Sequence, residues 1–213
     1  MVKRPSSLRW KPGQPIPRGK NTFEKILIQG LQRGYNPGRP DSREWFRAQA
    51  QSIGKQNIGR VMLNTEKHDS IAPGNMYLFM YDPKHKATLP YYDRFPLIFP
   101  VEQYNNGFLG INLHYLPPRM RALLMDKLYD LSTDKRYTRE TKLALSYNLL
   151  NAASKFKSFK PTIHRYLYSH LRSKYIFIPS EQWDIALMLD LQRFQKASAQ
   201  KVWNDSRDKI YGV

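Results

Sequence analysis

Cysteine is absent from the chain. Its absence excludes a disulfide framework, a thiolate zinc site, an iron–sulfur cluster and cysteine nucleophilic catalysis, and it fits synthesis in a reducing cytoplasm. No run approaches the roughly 18–20 apolar residues that a membrane span requires. The N-terminal MVKRPSSLRWKPGQPIPRGK is basic but lacks the apolar stretch of a signal peptide. No glycine-rich phosphate loop, nucleophile elbow or kinase signature occurs, and Gly107 and Gly110 are too isolated to form one. The five histidines (His68, His85, His114, His164 and His170) show no metal-ligand spacing. The expectation is therefore a protein that is not an enzyme, with no metal, cofactor, membrane or small-molecule substrate.

Acid is also scarce. The 17 Asp and Glu stand against 35 Lys and Arg, for a net charge of +18 over 213 residues. Such an excess calls for an anionic partner: nucleic acid, an acidic protein surface or an anionic membrane. It is concentrated in two places. Residues 1–60 carry thirteen basic side chains against Glu24, Asp41 and Glu44, a local balance of +10. The stretch from Lys155 to Lys174 carries six basic residues and no acid. Candidate contacts to nucleic acid or an acidic partner are Arg4, Arg9, Lys11, Arg18 and Lys20 in the first twenty residues. Arg39, Arg43 and Arg47 follow in the next segment, then Lys155, Lys157, Lys160 and Arg165 in the second. Phosphate binding asks only for cations near one another, so this pattern does not distinguish RNA, DNA and acidic protein.

With 41% hydrophobic and 13% aromatic residues the chain can build a core. Its organising stretch is 72–116, which reads as an antiparallel β-module. Three short apolar segments, Met76–Tyr81, Pro96–Val101 and Phe108–Leu116, are separated by prolines and by Asn105-Asn106-Gly107. Asn106-Gly107 can supply the positive φ angles of a tight hairpin, which pairs the second segment with the third. Residues 1–20, with four prolines and Trp10, read as an extended basic arm that orders on a partner. Residues 21–71 read as helical, opened by the capping-box patterns Asn21-Thr22-Phe23-Glu24 and Asp41-Ser42-Arg43-Glu44. A short helical turn is expected around Val61–Leu63. Residues 117–213 read as a helical region opened at Pro117-Pro118. Its further helices are expected over Thr138–Ser154, from Pro161, and in one long run from Ser180 through Val202, with a short strand at 175–179.

Two constellations admit several readings. In TLPYYDRFP, Tyr91, Tyr92 and Phe95 flank Arg94 and can stack on bases, form a protein hot spot together with Trp10, or close the bottom of a small barrel. The last is the most economical. Asp82, Asp93 and Glu102 are the carboxylates a hydrolase or nuclease would draw on, but Asp82 and Asp93 sit where turns want them.

The block PGNMYLFMYDPKHKATLPYYDRFPLIFP, followed by GFLGINLHYLPPRMRALLMDKLYD, resembles virion proteins of T4-like contractile-tailed bacteriophages and their marine relatives. FKPTIHRYL, EQWDIALMLDLQRF and KVWNDSR extend the resemblance across most of residues 42–207. It implies a non-enzymatic structural building block of the virion, either a neck component (a DNA-end protector or head–tail connector) or part of the baseplate. Such a block works in symmetry-related copies and contacts other phage proteins and double-stranded DNA. The fold expected is α+β: an SH3-like antiparallel module enclosed by helices, with the basic arm extended from it.

Overall fold

The computed structural model describes residues 19, 21–37, 39–63, 65–133, 148 and 157–212. Three helices come first: α1 (Thr22–Gln32), α2 (Pro40–Ser52) and α3 (Ile58–Leu63). The strands that follow are β1 (Lys67–His68), β2 (Met76–Leu78), β3 (Tyr92–Asp93), β4 (Leu97–Tyr104) and β5 (Gly107–Asn112). After a 3-10 turn at Leu113–Tyr115 comes α4 (Pro118–Thr133). The remainder is β6 (Ile163–Leu167), β7 (Tyr175–Ile178), α5 (Trp183–Met188), β8 (Phe194–Gln195) and α6 (Ala199–Tyr211).

The mixed helix-and-strand class agrees with the sequence. The sheet, however, reaches well beyond residues 72–116. It is six-stranded and antiparallel, in the order β1-β7-β2-β4-β5-β6, while β3 and β8 form a separate ribbon. The stretch expected to fold as an SH3-like module of its own instead supplies β2, β4 and β5, the middle of a larger sheet completed by late-sequence strands.

Alternation along the strands sorts the core into two compositions. Met76, Leu78, Leu97, Phe99, Val101, Ile111, Ile176 and Ile178 join an aliphatic cluster with α1, α2, α4 and α5. Tyr77, Phe79, Ile98, Phe108, Tyr166 and Tyr175 form the other, largely aromatic, cluster. In it the Phe79 ring meets those of Phe108, Tyr166 and Tyr175 edge-on, with centroids 6.0, 5.4 and 5.3 Å away. Edge-to-face geometry lets the positive rim of one ring meet the negative face of the next.

The hairpin of β4 and β5 forms in the expected pairing, Tyr104 opposite Gly107, but for a different reason. Neither Asn106 nor Gly107 has positive φ. Gly107 is needed because β6 runs against it: a Cβ there would lie 2.1 Å from the Tyr166 carbonyl oxygen. Pro100, expected to punctuate a segment, lies inside β4 where the register shifts between Pro100 and Glu102. A bulge is where a strand tolerates a residue without an N–H.

Asn21 caps α1 by accepting from Glu24 N–H at 2.9 Å, as the capping box predicts, and Gly34 beyond the helix end has φ +84°. The second capping box does not form. α2 begins at Pro40 with Arg39 as N-cap, and Ser42 Oγ accepts instead from Asn36 N–H at 3.1 Å. On α4, Arg121, Leu124 and Met125 are buried while Leu123 is 59% exposed, so the face turned inward carries an arginine and not every leucine.

Two expected helices are absent. Residues 163–167 form β6, because Tyr166 fits between Phe79 and Phe108 and β5 offers an open ladder. The run from Ser180 splits into a 3-10 turn, α5, β8 and α6. Its middle is claimed by distant backbone: Arg94 N–H donates to Arg193 C=O at 3.1 Å, and Gln56 N–H to Asp190 C=O at 3.3 Å. The expected helix over 138–154 lies outside the described residues but for Asn148, which is helical.

Gly30 is where α1 meets α2; a Cβ would stand 2.3 Å from Phe46 Cε1 and 2.8 Å from Trp45 Cζ3. Alanine is the better helix former, yet overpacking dominates here. Gly30→Ala is expected to lower stability by about 1–3 kcal/mol in urea unfolding; a stabilised variant would show that the rings yield freely.

Candidate nucleic-acid interface

A cavity of about 580 Å³ opens between the loop 83–92, the ends of β5 and β6, and Lys209 of α6. Its floor is fixed by Asp93. One carboxylate oxygen, Oδ1, accepts from Phe95 N–H and from Arg193 N–H, each at 3.1 Å. The other accepts from His114 Nδ1 at 2.6 Å and from Asn112 Nδ2 at 3.4 Å. Asp93, Asn112 and His114 are all buried.

Burial disfavours the charged form of both Asp93 and His114. Bonds from His114, Arg193 and Phe95 nevertheless hold Asp93 below its usual range, whereas burial prevails at His114 and pushes it down. An ionised carboxylate only accepts, so the neutral imidazole carries its proton on Nδ1. Nε2 has no hydrogen-bond partner among the described residues. The expected turn role of Asp93 is present in its bond to Phe95; what the sequence did not reveal is that the carboxylate is a buried hub.

Arg121 is the cationic counterpart, fully buried beside this hub. It donates to Leu116 C=O at 2.7 Å, Leu187 C=O at 3.0 Å and His114 C=O at 3.0 Å. Burial lowers it to about 10, so it stays charged at neutral pH. Trp203 of α6 lies under the guanidinium at 5.5 Å and donates its indole N–H to His114 C=O at 2.9 Å.

The cavity wall is aromatic. Tyr91, Tyr115, His164 and Tyr166 follow one another with ring centroids 6.1, 4.1 and 6.5 Å apart. Tyr166 O–H accepts from Asn112 Nδ2 at 3.2 Å, and burial raises Tyr115 and Tyr166 far above the usual phenol value. His164 donates through Nε2 to Pro161 C=O at 3.0 Å, and burial pushes it down to about 4. At the rim stand exposed Lys84, His85, Arg165 and Lys209.

The cations singled out from the sequence divide sharply. Arg4, Arg9, Trp10, Lys11, Arg18, Lys20 and Lys155 lie outside the described residues, as does the side chain of Lys157. Arg39, Lys160 and Arg165 are exposed. Arg165 sits 4.7 Å over the Tyr104 ring and donates to Asn106 Oδ1 at 2.7 Å.

Arg43 and Arg47, expected on a partner-facing side, instead face carboxylates within the fold. Arg47 pairs with Asp184 at 2.6 Å and Asp126 at 2.7 Å, and buried Arg43 lies 3.5 Å from Asp126. A surface helix that closes over α4 and α5 looks, in sequence, like any basic helix. Tyr91 and Tyr92 line the cavity rather than closing a barrel, while Phe95 packs on the aliphatic cluster and Arg94 is exposed. Lys84 and Lys209 were missed; the KHK between Pro83 and Pro90 was the available signal. Asp82 pairs with Lys86 at 2.9 Å, and among the described residues no group of His, Asp and Glu is placed to hold a metal ion.

The chain is a bacteriophage protein. A family model described as Phage T4 terminal DNA protecting protein matches residues 21–206, and the chain belongs to that family. No curated protein and no solved structure matches it.

Arg47→Ala leaves Asp184 buried, its carboxyl already raised by burial, without its closest cation. Urea unfolding should show a loss of about 3–5 kcal/mol, partly recovered on adding Asp184→Asn; a loss under 1 kcal/mol would make this an idle surface pair.

Acid sensitivity follows from the histidines. His164 is neutral in the fold down to about pH 4 but titrates near 6.5 once unfolded. Below about 6.5 the unfolded chain therefore binds the extra proton and stability falls with pH, by up to roughly 1.4 kcal/mol per unit until about pH 4. His114, also lowered, adds in the same direction, whereas depressed Asp93 contributes stability that fades only below the ordinary carboxylate range. His164→Gln should flatten the profile between pH 6.5 and 4, measured by urea unfolding at several pH values; an unchanged profile would refute it.

Proposed function

We propose that this protein binds the ends of duplex DNA and shields them, as a component carried with the phage genome. Membership of the terminal DNA protecting family carries this reading. It favours the DNA-end role over the head–tail connector or baseplate role that the wider virion resemblance left equally open. The charge of +18 is what a protein seated on phosphates needs.

The cations assigned to DNA are Arg4, Arg9, Lys11, Arg18 and Lys20 of the arm, Lys155 and Lys157, and exposed Arg39, Lys160 and Arg165. Arg43 and Arg47 are withdrawn from that set because Asp126 and Asp184 already hold them. Shielding an end asks for occupancy and exclusion, not bond breaking, so no catalytic residue is assigned. Work at a genome end places the protein in the virion, next to other phage structural proteins and in as many copies as there are ends or symmetry positions.

Full-length protein is expected to protect linear duplex from an exonuclease. Linear duplex should also outcompete covalently closed circles of equal mass. Affinity should fall steeply with salt, its log–log slope steepening by roughly 0.9 for each phosphate contacted. Equal competition by circles, or no binding at low salt, would overturn the reading.

A further inference from the structure

The cavity over Asp93 is far too small for a duplex, yet it lies within the roughly 300–1,000 Å³ of small-ligand sites. We propose that it receives one unpaired nucleotide at the DNA end, the base against the tyrosine wall and the phosphate at the cationic rim. This rests on the end-binding reading and gives it a specific chemistry: recognition of a frayed or overhanging terminus.

Three observations carry it. First, Tyr91, Tyr115, His164 and Tyr166 line the cavity beside Leu89 and Pro161; Tyr115 and Tyr166 are buried and the rings are tilted 40°, 37° and 59° to one another, so half-exposed Tyr91 is the ring on which a base can stack. Tyr91 is steadied by a hydrogen bond with Asp205; partial burial, and then the Asp205 charge, raise it, and its outer face is open to a ligand. Second, the lining carries Lys84, Arg165 and Lys209 but a single acid, Asp93, and both Asp93 oxygens are already engaged. Asp205, beside Tyr91, is paired with Lys201, so a ligand meets net positive charge at the mouth and no free carboxylate on the floor. Third, the floor is rigid: Asp93, Asn112 and Tyr166 are joined by hydrogen bonds, so the wall is set before a ligand arrives.

An anionic base-bearing ligand satisfies all three features. An acidic peptide would use the rim but leave the aromatic row unused, and an apolar ligand would leave the cations unused.

The test uses the full chain and hairpin-closed duplexes whose single open end is either blunt or carries a three-nucleotide overhang with 2-aminopurine at its tip. Tighter binding of the overhang than of the blunt end, by roughly fivefold to a hundredfold, is expected, with quenching of the 2-aminopurine on stacking. Tyr91→Ala should collapse the difference between the two ends and abolish the quench. Tyr91→Phe should retain both, and Lys84→Glu, at an exposed position, should narrow the preference. Equal binding of the two ends without a quench, while linear DNA is still held over circles, overturns the cavity's role and leaves the end-binding reading standing. Should linear DNA not bind at all, the end-binding reading fails and titration with deoxyadenosine monophosphate decides the cavity by itself. Shifted aromatic resonances that Tyr91→Ala removes support a nucleotide site, and unshifted ones overturn it.

Discussion

A single buried carboxylate, Asp93, sets the geometry of one whole side of the molecule. Ionised and cut off from water, it must have its acceptor sites met within the protein. It takes them from the turn at Phe95, from Asn112 at the end of β5, from His114 and from the backbone of Arg193. Three stretches of chain, 93–95, 112–114 and the one at Arg193, are thereby fixed to one point. Arg121 does the converse from the other side, gathering carbonyls at His114, Leu116 and Leu187. The segment 112–116 is held between an anion and a cation, which is why Tyr115 and Tyr166 stand as a fixed wall. Buried networks of this kind are strong when every member is satisfied and costly when one is lost.

The positive charge has two distinct uses. Arg43, Arg47 and Arg121 are turned inward as clamps between helices, sheet end and α5, while Lys84, Arg94, Lys160, Arg165 and Lys209 face solvent. A guanidinium suits the inward task because its fork of donors reaches several acceptors at once. Part of the basic excess is therefore spoken for by the fold, and net charge alone overstates what is left for phosphates.

How much of this could be read from the sequence depends on how local each cause is. The cap at Asn21, the helix beginning at Pro118, the pairing of β4 with β5 and the strand at 175–178 rest on signals within a few residues, and they formed. β6 was hidden because Ile163, Leu167 and Leu171 match a helical stripe while Tyr166 obeys strand alternation, and only the neighbour β5 decides between them. The break after Met188 has no proline or glycine to announce it; remote backbone partners enforce it. At the site, Tyr91 and Tyr92 were visible as an unusual pair. Lys209 entered only because α6 folds back against the 3-10 turns at Leu113–Tyr115 and Lys157–Thr162, a juxtaposition no local pattern encodes.

The placing of β7 between β1 and β2 bears on how the molecule is made. A ribosome delivers β2, β4 and β5 early, but the strand that completes the sheet's centre emerges only with residues 175–178. Until then β2 presents an unpaired edge, and the aromatic layer lacks Tyr175. Exposed edges and apolar faces of that kind are what chaperones hold and what aggregates join. Closure of the sheet's centre thus rests on a pairing of long sequence separation, between residues 76–78 and 176–178.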